Sequence, residues 1–129
     1  MEPQQPRYVA LEHRSAQGSH CDFLMERQGR LAAWRIGSLE ELTAGGAVRA
    51  EKLPDHRLDY LDYEGPVSNG RGAVRALARG SLAELQWSDE LIRVELVGDL
   101  SGVLTAGKLG ETLWQFILSR SGEHEGNQG

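Results

Sequence analysis

Cys21-Asp22-Phe23-Leu24-Met25-Glu26-Arg27, then Gln28-Gly29, then Arg30-Leu31-Ala32-Ala33-Trp34-Arg35-Ile36 is the stretch on which the fold turns. From Cys21 onward the residues alternate, and the apolar Cys21, Phe23 and Met25 share one parity. Side chains two apart in a strand leave from the same face, so His20, Asp22, Leu24 and Glu26 are expected to point together on the other. Gln28-Gly29 is a passable two-residue hairpin turn, which makes Cys21–Arg27 and Arg30–Ile36 an antiparallel pair. Outward from this hairpin come further short segments punctuated by glycine. Strands are expected at 7–12, 47–52, 71–79, 82–87, 91–97, 100–106 and 112–118, although alanine and leucine in 73–79 equally allow a helix. Ser38-Leu39-Glu40-Glu41-Leu42 followed by Gly45-Gly46 predicts one short helix, with a serine N-cap, glutamate at N3 and glycine after its end. The pattern is all-β, mainly antiparallel, and a small barrel is the natural closure because it leaves no exposed edge.

The 129 residues suit one domain, placed at 7–119 between polar ends at 1–6 and 120–129 that are expected to be flexible. A net charge of −5 excludes coating of nucleic acid by bulk electrostatics but leaves room for a local basic site that holds a strand end. The single cysteine cannot form an internal disulfide, so a reducing compartment is expected. No apolar run approaches a membrane span, and Met-Glu-Pro-Gln-Gln-Pro lacks the parts of a signal peptide. A cytoplasmic monomer with no membrane association is the expectation.

The chain has four histidines, and His13, His20 and Asp22 lie within ten residues. Imidazole plus carboxylate is a donor set for a divalent first-row metal. On one strand, His20 and Asp22 sit side by side, and a turn at Gly18-Ser19 brings His13 back toward them. An isolated His-x-Asp pair is commonly ordinary surface polarity, so His13 carries the weight. Cys21 falls on the opposite parity and reads as a small core residue. Glu26 shares the histidine face but lies too far along for a direct metal bond, and His124 belongs to the C-terminal end.

A second constellation runs Asp55-His56-Arg57-Leu58-Asp59-Tyr60-Leu61-Asp62-Tyr63-Glu64-Gly65. His56 and Tyr60, four apart, share a face in a strand or in a helical turn. Together they suit hydrogen bonding to a phosphate or carbonyl oxygen. The plainer alternative is a loop-capping histidine with tyrosines packed half-buried.

These segments, in order, resemble the 3′-phosphoesterase family, a module of bacterial DNA ligase D that also occurs as stand-alone proteins. The likeness is carried by His13, His20-Cys-Asp22-Phe, Leu31-Ala-Ala-Trp34 and the block Asp55-His56-Arg-Leu-Asp59-Tyr60-Leu-Asp62-Tyr63-Glu64-Gly65. Val94–Gly102 and Trp114–Leu118 continue it, so it runs from about Arg7 to Leu118. The resemblance implies a small β-barrel whose cavity holds a divalent metal, commonly manganese. It also implies removal of a ribonucleotide or phosphate from the 3′ end of a DNA primer-template during end joining, with a ligase or polymerase as partner. Matched motif by motif, His13, His20 and Asp22 fall on the metal ligands, and His56 and Tyr60 on residues that contact the scissile phosphate.

The chain departs from that family on the substrate side. Leu24 stands where the family has a phosphate-clamping arginine, and seven positions rather than six separate His13 from His20. The glycine-rich loop is shortened to Val67-Ser-Asn-Gly70-Arg71-Gly72, and a lysine-bearing segment after the tryptophan gives way to Ile36-Gly37-Ser38. Arg71 is the candidate substrate-binding cation that replaces the lost arginine. Arg75 and Arg79 read as a solvated face, and Arg35 and Arg57 have no geometric support from sequence. Trp34, Trp87 and Trp114 read as barrel filling. Two further readings stay open: a metal-binding homologue that docks a DNA end or a repair partner without turnover, and a barrel acting on a small phosphorylated metabolite.

Overall fold

The computed structural model describes residues 5–68 and 70–120. The two expected flexible ends, apart from Gln5, Pro6 and Arg120, lie outside the described residues, as does His124. Nine strands form one antiparallel sheet: β1 (Arg7–Ser15), β2 (Gly18–Arg27), β3 (Arg30–Ile36), β4 (Val48–His56), β5 (Gly65–Pro66), β6 (Ala73–Trp87), β7 (Leu91–Gly98), β8 (Gly102–Lys108) and β9 (Leu113–Ser119). Their order is β1-β2-β3-β4-β9-β8-β7-β6-β5, and β6 also pairs with β1. Eight strands therefore close into a barrel, with the two-residue β5 as a flank on β6. The all-β barrel expected from the alternation is the fold observed.

The deciding hairpin forms through Gln28 and Gly29, both at positive φ (55° and 82°), the backbone that a two-residue turn between twisted strands requires. It sets Asp22 opposite Arg35, Phe23 opposite Trp34 and Leu24 opposite Ala33. Helix α1 (Leu39–Thr43) starts where Ser38 Oγ accepts from the Glu41 amide at 3.2 Å, and its Leu42 is buried in the main core. The strands expected at 71–79 and 82–87 are one, β6, which runs through Gly80. A Cβ there would stand 1.9 Å from the Val97 carbonyl and 2.7 Å from Tyr8 Oη, so this glycine serves close packing rather than a break.

Two apolar clusters divide the sheet by strand parity. The barrel interior holds Tyr8, Ala10, Cys21, Phe23, Met25, Trp34, Trp114 and Phe116, among others, drawn from every long strand. Phe23 stacks on Tyr8 with centroids 5.8 Å apart and meets Phe116 edge-on at 6.0 Å. Tyr8 Oη donates to the Leu100 carbonyl (3.1 Å) and accepts from its amide (2.9 Å), which ties β1 to the β7–β8 turn. The second cluster, Val9, Leu11, Leu24, Leu31, Ala33, Leu61 and Val74, uses the opposite parity and lies on the outer face of β6-β1-β2-β3.

A strap over 57–67 covers that outer face. It contains a 3-10 turn, Leu58–Leu61, whose Leu61 is buried, and Tyr60 and Val67 pack on the same cluster. Polar contacts fasten it: Arg79 Nε donates to the Leu61 carbonyl (3.0 Å), Arg7 pairs with Asp62 (2.7 Å), and the Ala76 amide donates to Glu64 (2.7 Å). Arg79, read from sequence as part of a solvated face, thus anchors the strap.

Candidate metal centre on the outer face

β1 and β2 meet through the two-residue connection Ala16-Gln17, two residues before the turn expected at Gly18-Ser19. Their register places His13 directly opposite His20, and Leu11 opposite Asp22. Facing residues of an antiparallel pair have Cβ atoms about 5 Å apart, so the two imidazoles meet by backbone geometry alone. Asp22 follows two residues on from His20 with the same parity. The three side chains leave from the outer face of the barrel rather than into its apolar interior. Cys21 does face the interior, and burial pushes its thiol pKa up to about 12, which makes it a core residue rather than a reactive one.

One donor atom from each of His13, His20 and Asp22 lies within 4.8 Å of the others. His13 Nδ1 is 3.1 Å from His20 Nε2, the rings standing edge to face, and His20 Nε2 is 3.6 Å from Asp22 Oδ1. His13 Nε2 lies 2.7 Å from the backbone carbonyl of Arg71. A carbonyl only accepts, so His13 donates through Nε2–H and keeps the Nδ1 lone pair directed at His20. This is the arrangement in which a ligand histidine is oriented by a carbonyl behind it. Burial lowers the His20 pKa most, Asp22 pulls it the other way, and the positive charge of Arg35 adds to the lowering. The neutral form of His20, the one able to ligate a metal, is therefore favoured. Two imidazole nitrogens and a carboxylate converging in this way fit a divalent transition metal.

Asp22 is only 6% exposed, and its partner is Arg35, whose Nε donates to Oδ1 at 3.2 Å. Sequence reasoning had no geometric case for Arg35, yet the signal was available. With the turn at Gln28-Gly29, paired residues have numbers that sum to 57, and 22 pairs with 35. Arg71 reaches the site through its backbone, while its guanidinium Nε donates to the Ser68 carbonyl at 3.0 Å. Arg75 pairs with Glu12 at 3.0 Å.

His56 and Tyr60 come together, with ring centroids 5.5 Å apart, and Tyr60 also meets Tyr63 at 5.9 Å. His56 Nδ1 donates to the Pro54 carbonyl (3.0 Å), which leaves Nε2 free to accept. His56 pairs with Leu31, which pairs with Glu26, four residues along β2 from Asp22. That offset is roughly 13 Å along the strand. Among the described residues no hydrogen bond or ion pair joins His56 or Tyr60 to the His13-His20-Asp22 group. The stretch between them is apolar, with Leu24, Ala33 and Leu53 in cross-strand register. Leu24 is fully buried there, packed in the cluster that the strap covers.

No family model matches the chain. Over 114 residues it is 32% identical to the multifunctional non-homologous end joining protein LigD of Pseudomonas aeruginosa. The match takes in 86% of this chain and 13% of that protein. It relates most of the present chain to a small part of LigD.

Proposed function

We propose that the protein is a metal-dependent phosphoesterase acting on the 3′ end of DNA, removing a terminal phosphate or ribonucleotide during end joining. The observation that carries this reading is the convergence of His13, His20 and Asp22 in a chain related to an end-joining protein. These three residues would hold the metal, manganese in this proposal, with the Arg71 carbonyl orienting His13. A divalent cation in such a site supplies positive charge that polarises a phosphoryl oxygen and favours the attacking water.

The protein's own groups do the rest. His20, its pKa lowered by burial, favours the neutral form that can offer a lone pair. The Tyr60 hydroxyl donates a hydrogen bond to a phosphate oxygen. His56, held through Nδ1 by the Pro54 carbonyl, acts in its doubly protonated form and gives the Nε2 proton to the leaving oxygen. In the phosphatase step the water oxygen bonds to phosphorus, the bond from phosphorus to the 3′ oxygen breaks, that oxygen takes the Nε2 proton of His56, and the proton released by the water returns His56 to its starting form. The products are a 3′-hydroxyl end and inorganic phosphate. Binding of the strand end across the offset between Asp22 and His56 would draw the two groups onto one phosphate. The partner in this reading is a primer-template end handed on to a ligase or polymerase, in the cytoplasm, with the chain acting as a monomer.

One observation favours a second reading, that of a metal-bearing end-binding module without turnover. Leu24 stands in place of the family arginine, and loss of one such transition-state contact costs roughly 10²- to 10³-fold in rate. Release of 3′-phosphate and 3′-ribonucleotide from a primer-template with added manganese, beside His20→Ala, separates the two. Activity that disappears in the variant supports the phosphoesterase. Tight binding of the same ends with no product from the wild type supports the module.

A further inference from the structure

We propose that Arg35 is the phosphate-binding cation of this site, so that the ligand it selects is a strand end carrying a terminal phosphate. The proposal rests on the phosphoesterase reading for its choice of ligand. Its structural basis lies in this chain's own hairpin. The Gln28-Gly29 turn puts Arg35 opposite Asp22 on the outer face, and Arg35 Nε donates to Asp22 Oδ1 at 3.2 Å. That one bond anchors the guanidinium beside the donor cluster. Its two Nη groups make no hydrogen bond or ion pair with any described residue, and the side chain is 38% exposed. Glu51, its cross-strand neighbour on β4, forms no ion pair with it.

Arg71, Arg75, Arg14 and Arg79 are also bonded through Nε, but to groups outside the donor cluster: the Ser68 carbonyl, Glu12 for both Arg75 and Arg14, and the Leu61 carbonyl. Arg35 differs from them in that its bond is to a member of the cluster itself, which fixes its free Nη edge beside the donors. A planar fork of two N–H groups matches two oxygens of a phosphate, and a terminal phosphate offers more charge to it than an internal diester. Position 24 cannot supply this group, because its side chain is sealed beneath the strap. The cation has in effect moved from position 24 of β2 to position 35 of β3, opposite Asp22.

The test uses the full chain and two equilibrium measurements that need no turnover. The first is fluorescence anisotropy with labelled primer-templates ending in 3′-phosphate or 3′-hydroxyl. The second is manganese binding followed by electron paramagnetic resonance. Wild type is expected to prefer the 3′-phosphate end. Arg35→Gln should weaken binding of that end about 10- to 100-fold and leave the 3′-hydroxyl end nearly unchanged. It should bind manganese at least as tightly as wild type, because a positive charge beside the metal has gone. Arg35→Lys, which keeps the charge but not the fork, should recover part of the preference. An Arg35→Gln variant with undiminished preference overturns the proposal. So does one that loses manganese as well, since Arg35 would then only hold Asp22 in place. Wild type without any preference for the phosphate also overturns it. A preference that depends on Arg35, with no phosphate released, supports the proposal while refuting turnover.

Discussion

Replacing Leu24 by arginine restores the residue type of the resembling family, and the structure argues that it damages this protein. Leu24 is fully buried among Val9, Leu11, Leu31, Ala33, Leu61 and Val74. Removing its side chain from an apolar setting forfeits about 1.5–3 kcal/mol of burial. A guanidinium placed there must either stay without a partner or push aside the strap that Leu61 anchors. Partial escape toward Asp22, two residues along the strand and roughly 7 Å away, limits the desolvation cost to a few kcal/mol. Together these give a loss of roughly 3–5 kcal/mol. With an unfolding entropy of about 2.1 cal/mol/K per residue, a chain of 129 residues loses about 4 °C in Tm per kcal/mol, hence roughly 11–19 °C. Thermal and urea unfolding followed by tryptophan fluorescence measure it, with Leu24→Met as the volume-conserving control, expected to cost under about 1.5 kcal/mol. A Leu24→Arg protein within about 1 kcal/mol of wild type would refute the sealed position and, with it, the case that the cation must come from β3.

Further outcomes follow from the same contacts. His20 has a lowered folded pKa, so the unfolded chain takes up its proton more readily. The metal-free protein should therefore lose stability as pH falls below the unfolded value of about 6.5, until the folded value is passed. His20→Gln should flatten that part of a Tm-against-pH curve, and an unchanged slope would show that His20 is not shifted by its surroundings. Gly80→Ala puts a methyl group against the Val97 carbonyl and Tyr8 Oη, both within 3 Å of the added carbon. It should cost about 3 kcal/mol or more by forcing β6 away from β7, and urea titration checks this against Gly46→Ala, where nothing lies within 4 Å.

Much of the fold was legible because the hairpin at Gln28-Gly29 and the alternation before it are local signals. Strand parity correctly separated Cys21, Phe23 and Met25 from His20, Asp22 and Leu24. It could not say which side was the interior, because a period of two distinguishes faces without naming them. Val9, Leu11 and Leu24 are apolar yet lie outside the barrel, beneath a strap that comes more than thirty positions later in sequence. The same non-local pairing settled Ala73–Arg79 as strand against its helical composition, since β1 offers it a complete ladder. Gly80 read as a break and proved to be a point of close packing. Arg35 was a matter of register arithmetic that only the paired strands make evident. The departure at Leu24 is visible in sequence, but its burial is not.

The most direct test of the account is a manganese titration followed by electron paramagnetic resonance on wild type and on His13→Ala, His20→Ala and Asp22→Asn. The expected result is one bound ion per wild-type chain and loss of that site in each variant, with folding checked by circular dichroism. Equal manganese binding by wild type and the three folded variants would contradict it, and would leave His13, His20 and Asp22 as no more than a polar cluster on the barrel's outer face.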